Sequence, residues 1–108
     1  MKLVMLMYLE EDEACVNRLL ADVGVPMVSH LGVEGRGVAE ANSGGGWYGG
    51  TAPYQSRITL AIVDETMAVQ VLDAVRDCEG IQDPTHPIRA LQLAVERTAA
   101  CACETREW

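Results

Sequence analysis

Residues 32–37 read Gly-Val-Glu-Gly-Arg-Gly, which places three glycines and one arginine, Arg36, within six positions. Glycine lets the backbone present consecutive N–H groups, and a guanidinium donates two parallel hydrogen bonds to one anion. These groups suit a phosphate. The segment is not a Walker A sequence and does not open a helix, and a glycine-rich turn on its own is more often only a turn. Phosphate binding therefore needs support from the rest of the chain.

Cysteines suggest a second kind of chemistry. Cys101 and Cys103 form a Cys-x-Cys pair, and thiolates suit zinc or copper(I). The pair has no second Cys-x-x-Cys partner, so the metal signal is weak, and a disulfide between residues two apart would be strained. Pairing between subunits is an alternative. Two further cysteines are predicted to be packing residues of the helices, Cys15 and Cys78.

Nucleophilic catalysis is not indicated. Ser29 and His30 are neighbours in a predicted strand, so their side chains point to opposite faces. His86 lies between Thr85 and Pro87 with no acid placed by the sequence to orient it. We therefore expect a protein that is not an enzyme.

Composition excludes several classes of partner. The 108 residues suffice for one domain, and the absence of phenylalanine predicts an aliphatic core. A net charge of -8 with a single lysine, Lys2, disfavours binding to nucleic acid or to anionic membranes. The apolar start is followed directly by acids rather than by a cleavage site, so we expect a buried first strand and a cytoplasmic chain with mostly reduced thiols.

Hydrophobic periodicity predicts six elements. Strands are expected at 2–10, 26–35, 56–64 and 88–96, with one helix after Glu11 and another after Asp64. The first helix has apolar residues at helical spacing and a glycine at its end: Val16, Leu19, Leu20, Val23 and then Gly24.

The order of these elements predicts an α+β, ferredoxin-like fold. Two split β-α-β units give a four-stranded antiparallel sheet with both helices on one face. The first strand is apolar on both of its faces. The face without helices is therefore predicted to be buried by oligomerisation.

A long glycine-rich segment separates the second and third strands. Eight of the ten glycines lie between Gly32 and Gly50, around Trp47 and Tyr48. A stretch of roughly 20 residues without regular structure is usually functional or disordered. Tryptophan and tyrosine are common anchors at interfaces, so we expect these two residues to contact a partner.

With these elements in place, the chain resembles the PII signal-transduction family and its PII-like relatives over about residues 1–97. The resemblance rests on "MKLV" opening the first strand, "LLADVGV" closing the first helix and "VEGRG" at 33–37 preceding the long loop. "CEGIQDPTHPI" falls where the family has its B-loop, and "ERTAA" falls at the C-terminal strand and C-loop.

The resemblance implies a homotrimer that binds adenine nucleotides in clefts between subunits. Residues 38–55 would be the flexible T-loop, which docks on a membrane transporter or a regulatory protein in nitrogen or carbon regulation. The whole of 1–108 would be one domain, with a C-terminal tail at 98–108.

The residues that match the family's ligand positions are Ser29, Gly35, Gly37, Gly80 and Arg97. To these we add Arg36, His86 and Arg89 as expected ligand residues. Arg89 would line the same cleft as Arg97 if their strand is regular, or else form an ion pair with Glu96 or with an acid of a neighbouring chain.

Three departures reduce the positive charge of the expected site. Residues 83–86 are Asp-Pro-Thr-His where the family has Gly-Asp-Gly-Lys, Val95 replaces an arginine, and Glu34 replaces a lysine. AMP or ADP is therefore a better expected ligand than ATP, and bicarbonate, which some PII-like branches bind, is a further one. The alternative is a trimeric metal-binding protein similar to CutA, which would use Cys101, Cys103 and His86.

Overall fold

The computed structural model describes residues 1–35, 54–79 and 85–101. Four strands and two helices follow the predicted order: β1 (Lys2–Leu9), α1 (Glu13–Val23), β2 (Ser29–Gly35), β3 (Tyr54–Val63), α2 (Glu65–Arg76) and β4 (Arg89–Ala94), with a single 3-10 turn at Glu10–Asp12. The sheet is antiparallel in the order β2-β3-β1-β4. The predicted ferredoxin-like fold is confirmed.

Local signals set the ends of both helices. The Met67 backbone N–H donates to Oδ1 of Asp64 at 2.8 Å, which satisfies one of the free N–H groups at the start of α2. Gly24 ends α1 with φ 92°, a left-handed conformation that favours glycine, and its N–H donates to the Leu20 carbonyl at 3.0 Å. The sequence predicts both features, with Asp64 at the start of α2 and Gly24 at the end of α1.

The hydrophobic core lies between the helices and one face of the sheet. Alternate residues of β1, namely Val4, Leu6 and Tyr8, are buried there. The other buried apolar residues of this core come from both helices, from β3 and from the approach to β4: Val16, Leu19, Leu20, Ala61, Val63, Ala68, Val71 and Ile88. The core is aliphatic apart from Tyr8, as the composition predicts.

The opposite face of the sheet, called the open face below, is apolar across all four strands. Met5 of β1 lies directly between Leu60 of β3 and Leu91 of β4 in the strand register. The large apolar side chains most exposed on this face are Leu31 at 42%, Ile62 at 55%, Leu91 at 37% and Leu93 at 47%. No helix of the described residues covers them, so the isolated chain leaves this surface to solvent.

Three strand boundaries differ from the predictions by two or more residues. β3 begins at Tyr54 rather than at 56, because Gly35 pairs with Tyr54 and Glu34 with Gln55; the last two residues assigned to the 38–55 loop therefore belong to the sheet. β2 begins at Ser29, after Pro26, which cannot donate to a strand ladder. β4 ends at Ala94 rather than at 96.

The helices are short. α1 has 11 residues and α2 has 12, and no helix among the described residues is long and apolar enough to cross a membrane.

Candidate functional site

A cavity of about 280 Å³ opens at one edge of the sheet. β1 and β2 both run antiparallel to β3, so they run parallel to each other and end at the same edge. β3 and β4 begin at that edge. The cavity is lined by the ends of all four strands and by the residues that lead into β4: Met7, Tyr8, Leu9, Val33, Gly35, Ser56, Arg57, Ile58, His86, Pro87 and Arg89.

Three of the expected ligand residues meet in this cavity, namely Gly35, His86 and Arg89. They come from the end of β2, from the approach to β4 and from the start of β4. The other polar residues at the cavity are Tyr8, Ser56 and Arg57. The fold thus brings together parts of the chain that lie up to about 80 residues apart.

Two other expected ligand residues lie elsewhere. Ser29 begins β2 opposite Leu60, and it does not line the cavity. Arg97 is exposed and follows β4, whose end at Ala94 lies opposite Lys2 at the far edge of the sheet. β4 ends three residues before Arg97, so the condition that one regular strand carries both Arg89 and Arg97 is not met. Five further positions lie outside the described residues: Arg36, Gly37, Trp47, Tyr48 and Gly80.

Arg57 is a cavity residue that the sequence analysis did not select. It lies opposite Tyr8 in the strand register and shares the helix-covered face with Thr59. Its Nε is 3.6 Å from Oε2 of Glu13, an ion pair longer than a hydrogen bond, and both side chains are about one-third exposed, at 30% and 32%. Alternate residues of β3, namely Thr59, Ala61 and Val63, are buried, and Arg57 occupies the next position in this alternation. A charged residue at such a position is the feature of the sequence that points to Arg57.

Two arginines lie at this edge of an acidic protein, on opposite faces of the sheet. Arg89 lies on the open face opposite Met7, whereas Arg57 lies on the helix-covered face beside Glu13. His86 adds an imidazole whose Nδ1 is 3.0 Å from Oγ1 of Thr85. The walls provided by Met7 and Ile58 are apolar, and charges interact more strongly beside apolar walls than in open water. The cavity is therefore suited to an anionic ligand that also carries an apolar surface.

A chain of hydrogen bonds fixes Tyr8 at the cavity wall. The Tyr8 hydroxyl is 2.7 Å from Oγ1 of Thr59, and the same Oγ1 is 2.8 Å from Nδ1 of His30. Burial raises the pKa of the Tyr8 phenol above its ordinary value, whereas the hydrogen bond to Thr59 acts in the opposite direction; Glu13 adds to the rise and Arg57 opposes it. Tyr8 is therefore neutral at physiological pH and keeps its hydroxyl proton.

Thr59→Val is expected to destabilise the fold by about 2 kcal/mol, because it removes the hydrogen-bond partner of a phenol that is buried in the core. Thr59 itself is only 1% exposed, so water cannot replace the lost hydroxyl without rearrangement. Urea denaturation at fixed protein concentration measures the effect. Thr59→Ser retains the hydroxyl and is the matched control; equal stability of the valine variant and the wild type would show that the hydrogen-bond chain contributes nothing.

Metal ligands do not cluster in the described part of the chain. Within residues 1–35, 54–79 and 85–101, no group of three or more His, Cys, Asp or Glu side chains is placed to hold a metal ion. Cys101 is disulfide-bonded, so in this state its sulfur is not a thiolate, and Cys103 lies outside the described residues.

Comparison with solved structures supports the predicted resemblance. A protein from Thermus thermophilus with a proposed PII-like signaling role superposes on this chain with a TM-score of 0.58. The match covers 85% of this chain and 83% of the other at 20% sequence identity. The resemblance to PII-like proteins is therefore confirmed at the level of the fold. No protein-family model and no curated protein matches the sequence.

Proposed function

We propose that the protein is a PII-like regulatory protein, without catalytic activity, that binds an adenine nucleotide at the sheet-edge cavity. One observation carries the proposal. Gly35 lines the cavity and pairs with Tyr54, so the segment 36–53 leaves the sheet and returns to it beside the cavity that contains Arg57 and Arg89. A ligand held there contacts the base of this segment and is in a position to change its conformation.

The size and charge of the cavity favour a small nucleotide. Pockets for small molecules are usually between about 300 and 1,000 Å³, so the 280 Å³ of a single chain is near the lower limit. The guanidinium of Arg89, on the same face as the apolar walls, matches the charge of AMP or ADP better than that of ATP. Bicarbonate is a smaller anion that the same guanidinium group is able to bind, either alone or beside the nucleotide.

A homotrimer would complete the site. The open face is apolar over four strands, and surfaces of this kind mark interfaces. Met7, Val33 and Ile58 belong to the open face and also line the cavity. A neighbouring copy that covers the open face would therefore add a further wall, and the cavity would become a cleft between subunits.

The segment 36–53 would transmit the state of the site. Trp47 and Tyr48 lie near its middle, surrounded by glycines. Ordering of a segment by a bound ligand is an established switching mode, and large aromatic side chains are effective anchors at interfaces. The proposed partner is a membrane transporter or a regulatory protein that these two aromatic residues contact.

Isothermal titration calorimetry with AMP, ADP and ATP tests the proposed ligand. We expect saturable heat with AMP or ADP and weaker binding of ATP, with GMP as the control for recognition of the base. No heat with any adenine nucleotide at millimolar concentration would overturn the nucleotide proposal. Repeating each titration with bicarbonate present shows whether the two ligands bind together.

The fluorescence of Trp47 in the same samples reports on the segment 36–53. The protein has two tryptophans, Trp47 and Trp108, so a Trp108→Phe variant isolates the fluorescence of Trp47. A change in Trp47 emission on saturation with the nucleotide supports transmission through the segment. Saturable binding with unchanged emission would separate the ligand site from the proposed switch.

A further inference from the structure

Two cysteines that are distant in the sequence lie in contact where the start of α1 meets the end of α2. Cys15 lies in the first turn of α1, and Cys78 follows the end of α2 by two residues. Their Sγ atoms are 3.3 Å apart, although 63 positions separate them in the chain. Both are free thiols. Two half-buried thiols can pack against each other without any function. Solvent access to the sulfur atoms and their chemical reactivity therefore decide whether the pair can be modified.

Solvent reaches the pair through a groove. A cavity of about 420 Å³ between α1 and the end of α2 is lined by both cysteines. Arg18 and Glu79 flank it, and Leu19 and Val23 form part of an apolar wall. The thiol of Cys78 also donates to the Glu79 carbonyl at 3.5 Å. A small reagent is therefore able to reach sulfur atoms that the fold already holds together.

We propose that Cys15 and Cys78 are a redox modification site, at which a hydroperoxide oxidises the two thiols to a reversible intramolecular disulfide. The peroxide converts one thiol into a sulfenic acid and releases one water. The second thiol then attacks that sulfur, an S–S bond forms, and a second water leaves. In total, two thiols lose two hydrogens and one H₂O₂ becomes two waters. A dithiol reductant reverses the change by exchange.

The environment of Cys78 disfavours its thiolate form. Burial raises the pKa of the Cys78 thiol from the ordinary 9.0 to about 11, and the hydrogen bond and charge of Cys15, together with Asp12 and Glu79, act in the same direction. The thiolate is the reactive form, so the reaction of Cys78 itself with peroxide accelerates as the pH rises toward about 11.

The position of the pair gives the disulfide a structural consequence. Cys78 immediately precedes the stretch 79–88, which carries His86 to the sheet-edge cavity. Cys15 follows Leu9, another cavity residue, by a single 3-10 turn and the start of α1. A disulfide would fix both chain segments to each other. Its formation does not depend on what the sheet-edge cavity binds, so a failure of the nucleotide proposal leaves this one intact.

Peptide mapping of the full chain provides the test. A Cys101→Ser, Cys103→Ser variant removes the other two cysteines, and trypsin then yields separate peptides for each remaining one, 3–18 and 77–89. After treatment of the folded protein with hydrogen peroxide, we expect the two peptides to be joined, about 2 Da lighter than their sum, and to separate on addition of dithiothreitol. Two thiols that both remain open to alkylation, or links only between different chains, would overturn the proposal.

Thermal unfolding gives an independent measure. Closing a loop of this length restricts the unfolded chain, so the oxidised variant is expected to unfold roughly 10 °C higher than the reduced variant at equal protein concentration. The same comparison on a variant that also carries Cys15→Ser should show no such difference. An equal shift in that control would mean that peroxide acts at a site other than the pair.

Discussion

Ile62→Glu is expected to convert the proposed trimer into a monomer. Ile62 lies opposite Leu3 on the open face, and its side chain is 55% exposed in the single chain. In a trimer that buries this face, the three introduced carboxylates, one from each chain, would be desolvated together. Burial of an unpaired charge costs several kcal/mol per ion, which exceeds what an interface of moderate area retains after its association costs.

Sedimentation velocity measures the result directly. The wild type should sediment at about 35 kDa, three times the 11.7 kDa chain, and the Ile62→Glu variant at the mass of one chain. Val69→Glu is the matched control, because Val69 is similarly exposed at 49% but lies on α2, on the other side of the sheet. A wild type that is monomeric at all concentrations, or an Ile62→Glu variant that remains trimeric, would contradict the proposed interface.

The apolar alternation that predicts the open face is a local property, and local properties were predicted correctly. Val16, Leu19 and Leu20 recur at helical spacing and are buried together. Asp64 and Gly24 mark helix ends because caps depend on a few neighbouring residues. Strand β1 is apolar on both faces, and the structure buries one face under helices while leaving the other open.

Several features that depend on distant contacts were not predicted. Cys15 and Cys78 were interpreted as separate packing residues, because nothing in either segment indicates that the start of α1 meets the end of α2. Arg57 was not selected although it interrupts an otherwise buried alternation, because the cavity at which it lies forms only when the ends of four strands meet. The extent of β4 was overestimated by two residues, because its register with β1 ends where Ala94 lies opposite Lys2; the Val95 N–H still donates to the Met1 carbonyl at 3.2 Å.

The open face and the cavity are linked through shared side chains. Met7, Val33 and Ile58 belong to both, so the same apolar residues that favour association also form the walls against which a ligand would pack. Ligand binding and oligomerisation are therefore expected to depend on each other, and any variant of the cavity has to be checked for its assembly before its affinity is interpreted.

A substitution at Arg97 tests whether a neighbouring subunit contributes to the ligand site. It follows β4 at the far edge of the sheet from the cavity, so within one chain it does not reach the site. If a neighbouring copy supplies it to the cleft, Arg97→Ala weakens nucleotide binding in the trimer. Unchanged affinity would remove Arg97 from the site without affecting the cavity residues of the same chain.

Arg89→Ala is expected to lower the affinity for AMP or ADP by roughly 10- to 100-fold, because a hydrogen bond to a charged group contributes about 1.5–3 kcal/mol. Arg89 lies at the start of β4, opposite Met7, and lines the cavity from the side that faces His86 and Pro87. Calorimetry on protein shown by sedimentation to have the wild-type mass measures the loss. Arg89→Lys retains the charge but cannot donate the paired hydrogen bonds of a guanidinium, so an intermediate affinity is expected.

Arg76→Ala is the matched control for this series. Arg76 lies at the end of α2 with its side chain 73% exposed, and its ion pair with Asp73, at 3.1 Å, is a surface pair of small energetic value. Both alanine variants remove one positive charge from the protein, so a general electrostatic effect would weaken binding equally in the two. A loss confined to Arg89→Ala identifies a specific contact at the sheet-edge cavity, whereas equal affinities for wild type and Arg89→Ala would exclude Arg89 from the ligand site.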